Sequence, residues 1–194
     1  MNRMFLICRK FEPEGGSYSA VFRETAKAAR AKGYYVTILS GHDEDKVKLD
    51  FLPYAAHFKF PLPKKHIPLL GQNWHYIVLS KYVKKYFKHT PLEKEDIILT
   101  NCLAGLGVLD KEFFLRMGQP AHILIKNLSM GKNQSIKTII GRRLHYGIQG
   151  YLEARVVKKA TGLIVTSMES REHITRVFGG KEKPYFVPQS GVTI

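Results

Sequence analysis

Acidic side chains are scarce in this sequence. Its 194 residues carry 16 Asp and Glu against 31 Lys and Arg, a formal charge of +15 with histidine neutral. An excess of that size calls for a polyanionic neighbour, either nucleic acid or an anionic membrane face, and is silent on fold. Cysteine is scarce too. Cys8 and Cys102 both lie in apolar surroundings, so a disulfide framework and a zinc site are excluded and two buried thiols in a reducing compartment are expected. Long apolar runs are missing. Met4–Cys8 is too short for a signal-peptide core, and nothing approaches the ~20 residues that span a bilayer. The expected location is cytoplasmic, with peripheral attachment to the inner face of the membrane. No G-x-G-x-x-G or P-loop pattern occurs, so neither dinucleotide nor P-loop chemistry is implied, and we expect no metal and no cofactor. Helix-turn-helix, zinc-finger and RNP-like aromatic patterns are also lacking, which argues against nucleic acid as the partner.

The apolar fraction, 44%, is that of an ordinary globular chain. Strand and helix signals alternate from end to end. Arg3–Arg9 reads as a strand, Tyr18–Lys32 as a helix with Ser17 as N-cap and Gly33 as its stop, and Tyr34–Ser40 as a second strand. "HDEDK" reads as a solvated turn and "YAAHFKF" as an edge strand. Gln72–His89 reads as a helix and Asp96–Thr100 as a strand, followed by a helix through Met117 that Gly118 closes. Pro120 opens a strand "AHILI", and a glycine- and lysine-bearing loop leads into a long helix ending at Lys159. "TGLIVTS", Met168–Phe178 and "PYFVP" close the chain as strand, helix and strand. Alternation of this kind predicts one Rossmann-like α/β/α sandwich over residues 1–194, with a mostly parallel sheet. "DIILT", "HILI" and "LIVT" are continuous apolar runs, as doubly buried parallel strands require.

In such sheets ligands gather at the carboxyl ends of the strands. The first strand leaves through "FEPEGGSYSA", where Gly15 and Gly16 precede Ser17. Adjacent glycines at a strand-to-helix turn leave backbone N–H groups facing an anion with a helix dipole behind them, or merely supply a turn with positive φ. The same edge collects Asn101, Lys126, Asn127 and Ser167, although Ser167 is equally a helix N-cap.

The two ends of the chain resemble glycosyltransferase family 4. "FEPEGGSYSAVFRETAKAARAKGYYVTILS" is similar to the family's opening, with a proline and a Gly-Gly pair before the first helix and a Lys-Gly turn into strand two. "YLEARVVKKATGLIVTSMESREHITRVFG" and "YFVPQSGVTI" look like the segments that close the N-terminal domain. The resemblance implies the N-terminal half of a GT-B enzyme, which transfers a sugar from a nucleotide-sugar to a glycan or lipid-linked acceptor with retention and without metal. The acceptor-side half would be this chain. The donor-binding half would be a C-terminal domain or second chain outside these residues, so the domain alone is expected to be inactive. Gly15 and Gly16 would then approach the donor diphosphate or the acceptor. Where the family often carries a His after a Pro-x-x-x-x-x spacing, this sequence has Lys126, a weak catalytic candidate. The alternatives are a non-catalytic accessory domain that complements a separate donor-binding subunit and, less favoured, a basic nucleic-acid-binding protein.

The helix "WHYIVLSKYVKKYFKH" supports the membrane expectation. At 100° per residue, Lys81, Lys84, Lys85 and Lys88 share an arc of ~100° with Trp74 and Ile77 ahead of them. A basic stripe led by an exposed Trp and Ile suits an anionic interface. A second basic stretch, including Arg142, Arg143, Arg155, Lys158 and Lys159, holds a single acid, Glu153. Glu153 has no basic residue three or four positions on, which points to a role off its own helix.

Overall fold

Strand β1, Arg3–Lys10, is central because its residues are apolar on both faces, with Phe5 to Cys8 all buried. It pairs in parallel with β2 (Tyr35–His42) on one side and β5 (Ile97–Asn101) on the other. The computed structural model describes residues 2–65, 67, 70–118, 121, 136–179 and 182–187. Beyond β2 lie β4 (Ala55–Pro61), parallel, and β3 (Lys48–Leu52), antiparallel at the edge. Beyond β5 lie β6 (Phe114–Met117), β7 (Gly162–Val165) and the two-residue β8 (Tyr185–Phe186), all parallel. The eight strands run in the order β3-β4-β2-β1-β5-β6-β7-β8. The chain builds outward from β1 to one edge, then crosses to β5 and builds to the other. The switch point therefore falls between β1 and β5.

Alternation within the strands divides the core. Leu6 and Cys8 join Val36, Ile38 and Leu99 under α1 (Ser17–Ala31), which contributes Phe22, Ala26 and Ala29. Phe5 and Ile7 face the other way with Leu39, Ile98 and Leu115, under α2 (Gln72–His89), a 3₁₀ helix (Cys102–Val108) and α3 (Ile136–Lys159). Helix α4, Met168–Phe178, adds Ile174 and Phe178 to that second cluster. At the amino edge Arg3 donates to Asp96 Oδ1 from Nε at 3.0 Å and to the Pro91 carbonyl from Nη2 at 2.8 Å, tying the start of β1 to that of β5.

Three expectations change. The N-cap of α1 is Gly16, not Ser17, and no side chain caps it. "YAAHFKF" is β4 but not the edge, because Lys48–Leu52 pairs outside it. The helix expected through Met117 is a 3₁₀ helix that stops at Val108 and is followed by β6. Its glycines fit close packing rather than a helix surface: a Cβ on Gly105 would meet Val156 Cγ1 at 2.5 Å, and one on Gly107 would meet Val83 at 2.7 Å. The expected strand "AHILI" lies outside the described residues except for Ala121, which is helical, and β6 pairs directly with β7.

Candidate functional site at the sheet switch point

The loop from Phe11 to Gly16 is built from inside the first helix. Arg23 of α1 donates from Nη1 to the carbonyls of Pro13 at 2.7 Å and Gly15 at 3.3 Å. The Glu12 amide donates to Ser19 Oγ at 3.4 Å. Beneath the loop, Phe11 meets the buried His57 ring edge-on at 5.1 Å, and His57 Nε2 is hydrogen-bonded to Ser40 Oγ at 2.8 Å. Burial, first, and the nearby Lys59 ammonium hold the His57 pKa down at about 4. The ring is therefore neutral at pH 7, an apolar floor with one hydroxyl partner.

The two glycines have different jobs. The Gly15 amide donates to the Glu12 carbonyl at 2.9 Å, and a Cβ there would lie 3.0 Å from Glu12 Cβ and 3.1 Å from its carbonyl oxygen. Gly15 closes the turn. Gly16, at the N-cap with extended backbone, would place a Cβ with nothing within 4 Å. Neither has positive φ, so the conformational explanation for the pair falls away. Gly16 leaves open space at the positive end of a helix that has no acidic residue in its first turn.

Asn101 ends β5 and Arg116 stands opposite it on β6, both on the α1 face by strand alternation. Arg116 Nη1 donates to Asn101 Oδ1 at 3.3 Å, and the Cys102 thiol points at the same oxygen at 3.8 Å. With its oxygen so occupied, the Asn101 amide keeps its NH₂ group as a donor. Among the described residues Arg116 has no carboxylate partner. Strands lie ~4.8 Å apart, so β1 and β6 are separated by ~10 Å. Cys102, immediately after Asn101, takes φ 49°, a left-handed conformation unusual for a residue with a side chain. That bend turns the chain sharply from β5 into the 3₁₀ helix at the switch point.

Arg116 was not among the sequence-based candidates, because "FFLRM" was absorbed into an expected helix. Its signal was the alternation of Phe113, Leu115 and Met117, all buried, with Phe114 and Arg116. Ser167 caps α4: its hydroxyl accepts from the Ser170 amide at 3.0 Å, the structural alternative raised above. Lys126 and Asn127 lie outside the described residues, as does the side chain of Ser17. Glu153 is buried, 2% exposed, with its carboxylate accepting from the Ala121 amide at 2.9 Å and Gln149 Nε2 at 2.8 Å. Desolvation pushes its pKa up, against those two hydrogen bonds. Its role off its own helix is to hold the chain just after β6. Among the described residues no cluster of His, Cys, Asp and Glu is arranged to hold a metal ion, and no helix is long and apolar enough to cross a membrane.

On α2, Lys81, Lys84, Lys85 and Lys88 are all exposed, whereas Trp74 and Ile77 are half-buried. Trp74 lines a shallow groove with Pro61, Pro63, Val78 and Tyr82 instead of standing out as a wedge. The stripe is basic, but its expected aromatic tip lies against the domain.

The eight-stranded, mostly parallel sheet is that of a Rossmann-like α/β domain, and solved structures that share it include GT-B glycosyltransferases. Sucrose-phosphate synthase from Thermosynechococcus elongatus aligns with a TM-score of 0.64 and 17% identity, over 96% of this chain and 47% of its own. Medicago truncatula UGT71G1 complexed with UDP-glucose aligns at 0.55 and 14% identity, over 97% and 52%. A UGT transferase from Siraitia grosvenorii in complex with UDP aligns at 0.53 and 12%, over 95% and 50%. The chain spans about half the length of these structures. At such identities the likeness is one of fold. No protein-family model and no curated protein sequence matches the chain.

Proposed function

We propose that this domain is the acceptor-side half of a retaining, family 4-like glycosyltransferase, which passes a sugar from a nucleotide-sugar to a lipid-linked or cell-surface glycan acceptor. The observation that carries the reading is the open N-cap at Gly16, placed on the same face of the sheet as the Asn101–Arg116 pair across the switch point. Helix dipole, free backbone amides and a guanidinium together favour an anion with two or more oxygens, such as a diphosphate or an acceptor phosphate. Charge developing on a leaving diphosphate would be stabilised by donors already fixed in place, which is where electrostatic catalysis is most effective. Arg116 is fixed by Asn101 and the loop by Arg23. The UDP and UDP-glucose named with two of the structural neighbours support a nucleotide-sugar as donor. The second wall of the cleft is a donor-binding domain, in the same polypeptide or another. The Lys81, Lys84, Lys85 and Lys88 stripe would hold the domain at an anionic membrane where its acceptor resides.

The test is sugar transfer from UDP-glucose and related donors to extracted lipid acceptors, measured with the donor-binding domain supplied. Arg116→Gln should lower kcat/KM by about 10- to 100-fold, as loss of a charge-assisted contact does, with an unchanged melting temperature. Full activity in that variant would remove the switch-point site from the reaction.

A further inference from the structure

A concave recess lies on the other face of the sheet, where the C-terminal half of α2, the end of the 3₁₀ segment and α3 meet. It encloses about 520 Å³ and is lined by Lys84 and Lys88, by Lys111 after the 3₁₀ helix, and by Arg155 of α3 over a floor of Phe87 and Leu109. The only acid in the lining is Asp110, already paired with Lys111 at 3.3 Å. Lys111 Nζ also lies 5.9 Å from the Phe87 ring centroid, which holds that cation over the floor. Among the described residues Lys84, Lys88 and Arg155 have no carboxylate partner.

This arrangement is costly to a bare fold. Lys84 and Lys88 are a like-charge pair one helical turn apart, a destabilising spacing. Arg155 and Lys111 bring two more cations to the same hollow from other elements, and concave walls concentrate the field. On a solvated helix face such cations diverge into water. Here three separate elements converge them on a recess of the size that holds a small ligand. Residues 84–88 lie 12 or more positions along α2 from its N-terminal end at the carboxyl edge of the sheet, ~20 Å at 1.5 Å per residue. The recess is thus distinct from the switch-point site and independent of the sugar-transfer reading.

We infer that this recess is a binding site for a phosphate-bearing ligand of two or more negative charges, its phosphate held by Lys84, Lys88, Lys111 and Arg155 and its body seated on Phe87 and Leu109. Two sources share that chemistry: a soluble phosphate ester and the headgroup of an anionic lipid.

The experiment titrates the full chain with inorganic pyrophosphate and glycerol phosphate, followed by calorimetry, and in parallel with phosphatidylglycerol vesicles and neutral phosphatidylcholine vesicles. Each is repeated with Lys111→Gln/Arg155→Gln, which leaves the α2 stripe intact, and with Lys32→Gln/Lys94→Gln, which removes the same charge elsewhere. Saturable binding of either soluble anion, weakened at least about tenfold in the first variant and by less than about twofold in the second, supports the site and identifies a soluble ligand. Binding of phosphatidylglycerol vesicles alone, with the same pattern of loss, supports it and identifies a lipid headgroup. Equal loss in both variants, or binding of neither kind of probe, overturns it. Because Arg116 is untouched, failure here leaves the switch-point reading standing.

Discussion

Replacing Gly16 with aspartate should separate the stability of α1 from the function of its N-terminus. The N-cap backbone is extended, at φ −80° and ψ −168°, which any residue adopts, and a Cβ there meets nothing within 4 Å. No side chain caps the helix and its first turn holds no acid. An Asp at this position would accept from an orphan amide and complement the dipole, a gain of about 1 kcal/mol. For a chain of this length that raises the melting temperature by about 2–4 °C. The same carboxylate would stand where the proposed anion binds. Two unit charges ~4 Å apart near a protein surface repel by up to ~4 kcal/mol before salt screening. Transfer activity should therefore fall at least about tenfold while the protein becomes more stable. Gly15→Ala is the control: its Cβ would press on Glu12 at 3.0 Å, costing about 1 kcal/mol of stability with no new charge. Urea titrations of both variants, beside the transfer assay, read the two effects separately. Retained activity in Gly16→Asp would refute the reasoning about an anion at this helix end, and lowered stability would refute the account of the cap.

Two other perturbations have signs fixed by the structure. His57 titrates near 4 when folded against 6.5 when free, so its neutral form favours the fold. That contribution is complete above pH 6.5 and is lost as pH falls towards 4, about 1.4 kcal/mol by pH 5.5 and about 3 kcal/mol at pH 4. Denaturant midpoints between pH 7.5 and 4.5 should show this slope, and His57→Gln should flatten it; an unchanged slope in the variant would assign the acid sensitivity elsewhere. Lys81→Glu/Lys84→Glu/Lys85→Glu should abolish sedimentation with anionic vesicles, which in the parent should already fade with added salt. Undiminished sedimentation of that variant would take the α2 stripe out of membrane attachment.

Helices α2 and α4 begin and end where the sequence placed them, because each has an apolar stripe of helical period and a clear start, Ser167 in the case of α4. The parallel strands β1, β2, β5 and β7 announced themselves as short apolar runs. What misled was glycine and mixed polarity. "LAGLGVL" has the composition of a helix, yet Gly105 and Gly107 are there to let a tight 3₁₀ segment press against Val156 and Val83, contacts that exist only in the folded chain. Lys48–Leu52 alternates charge with apolar residues and shares no buried face of its own, so its pairing with β4 leaves little trace. The site followed the same division. A glycine pair is visible in one dimension, but which glycine closes the turn and which stays open depends on Glu12 and Ser19. Arg116 became a candidate only when β6 placed it opposite Asn101.

The grip of Arg23 on the Pro13 and Gly15 carbonyls has a mechanical corollary. Loop and first helix are bolted together, so the surface they would offer to the proposed donor-binding domain is already set by folding. Docking of that domain would then need no search through loop conformers, the ordering entropy that a floppy loop would surrender at the encounter having been settled during folding. Arg23→Ala should leave the Asn101–Arg116 pair in place and slow docking of the proposed domain.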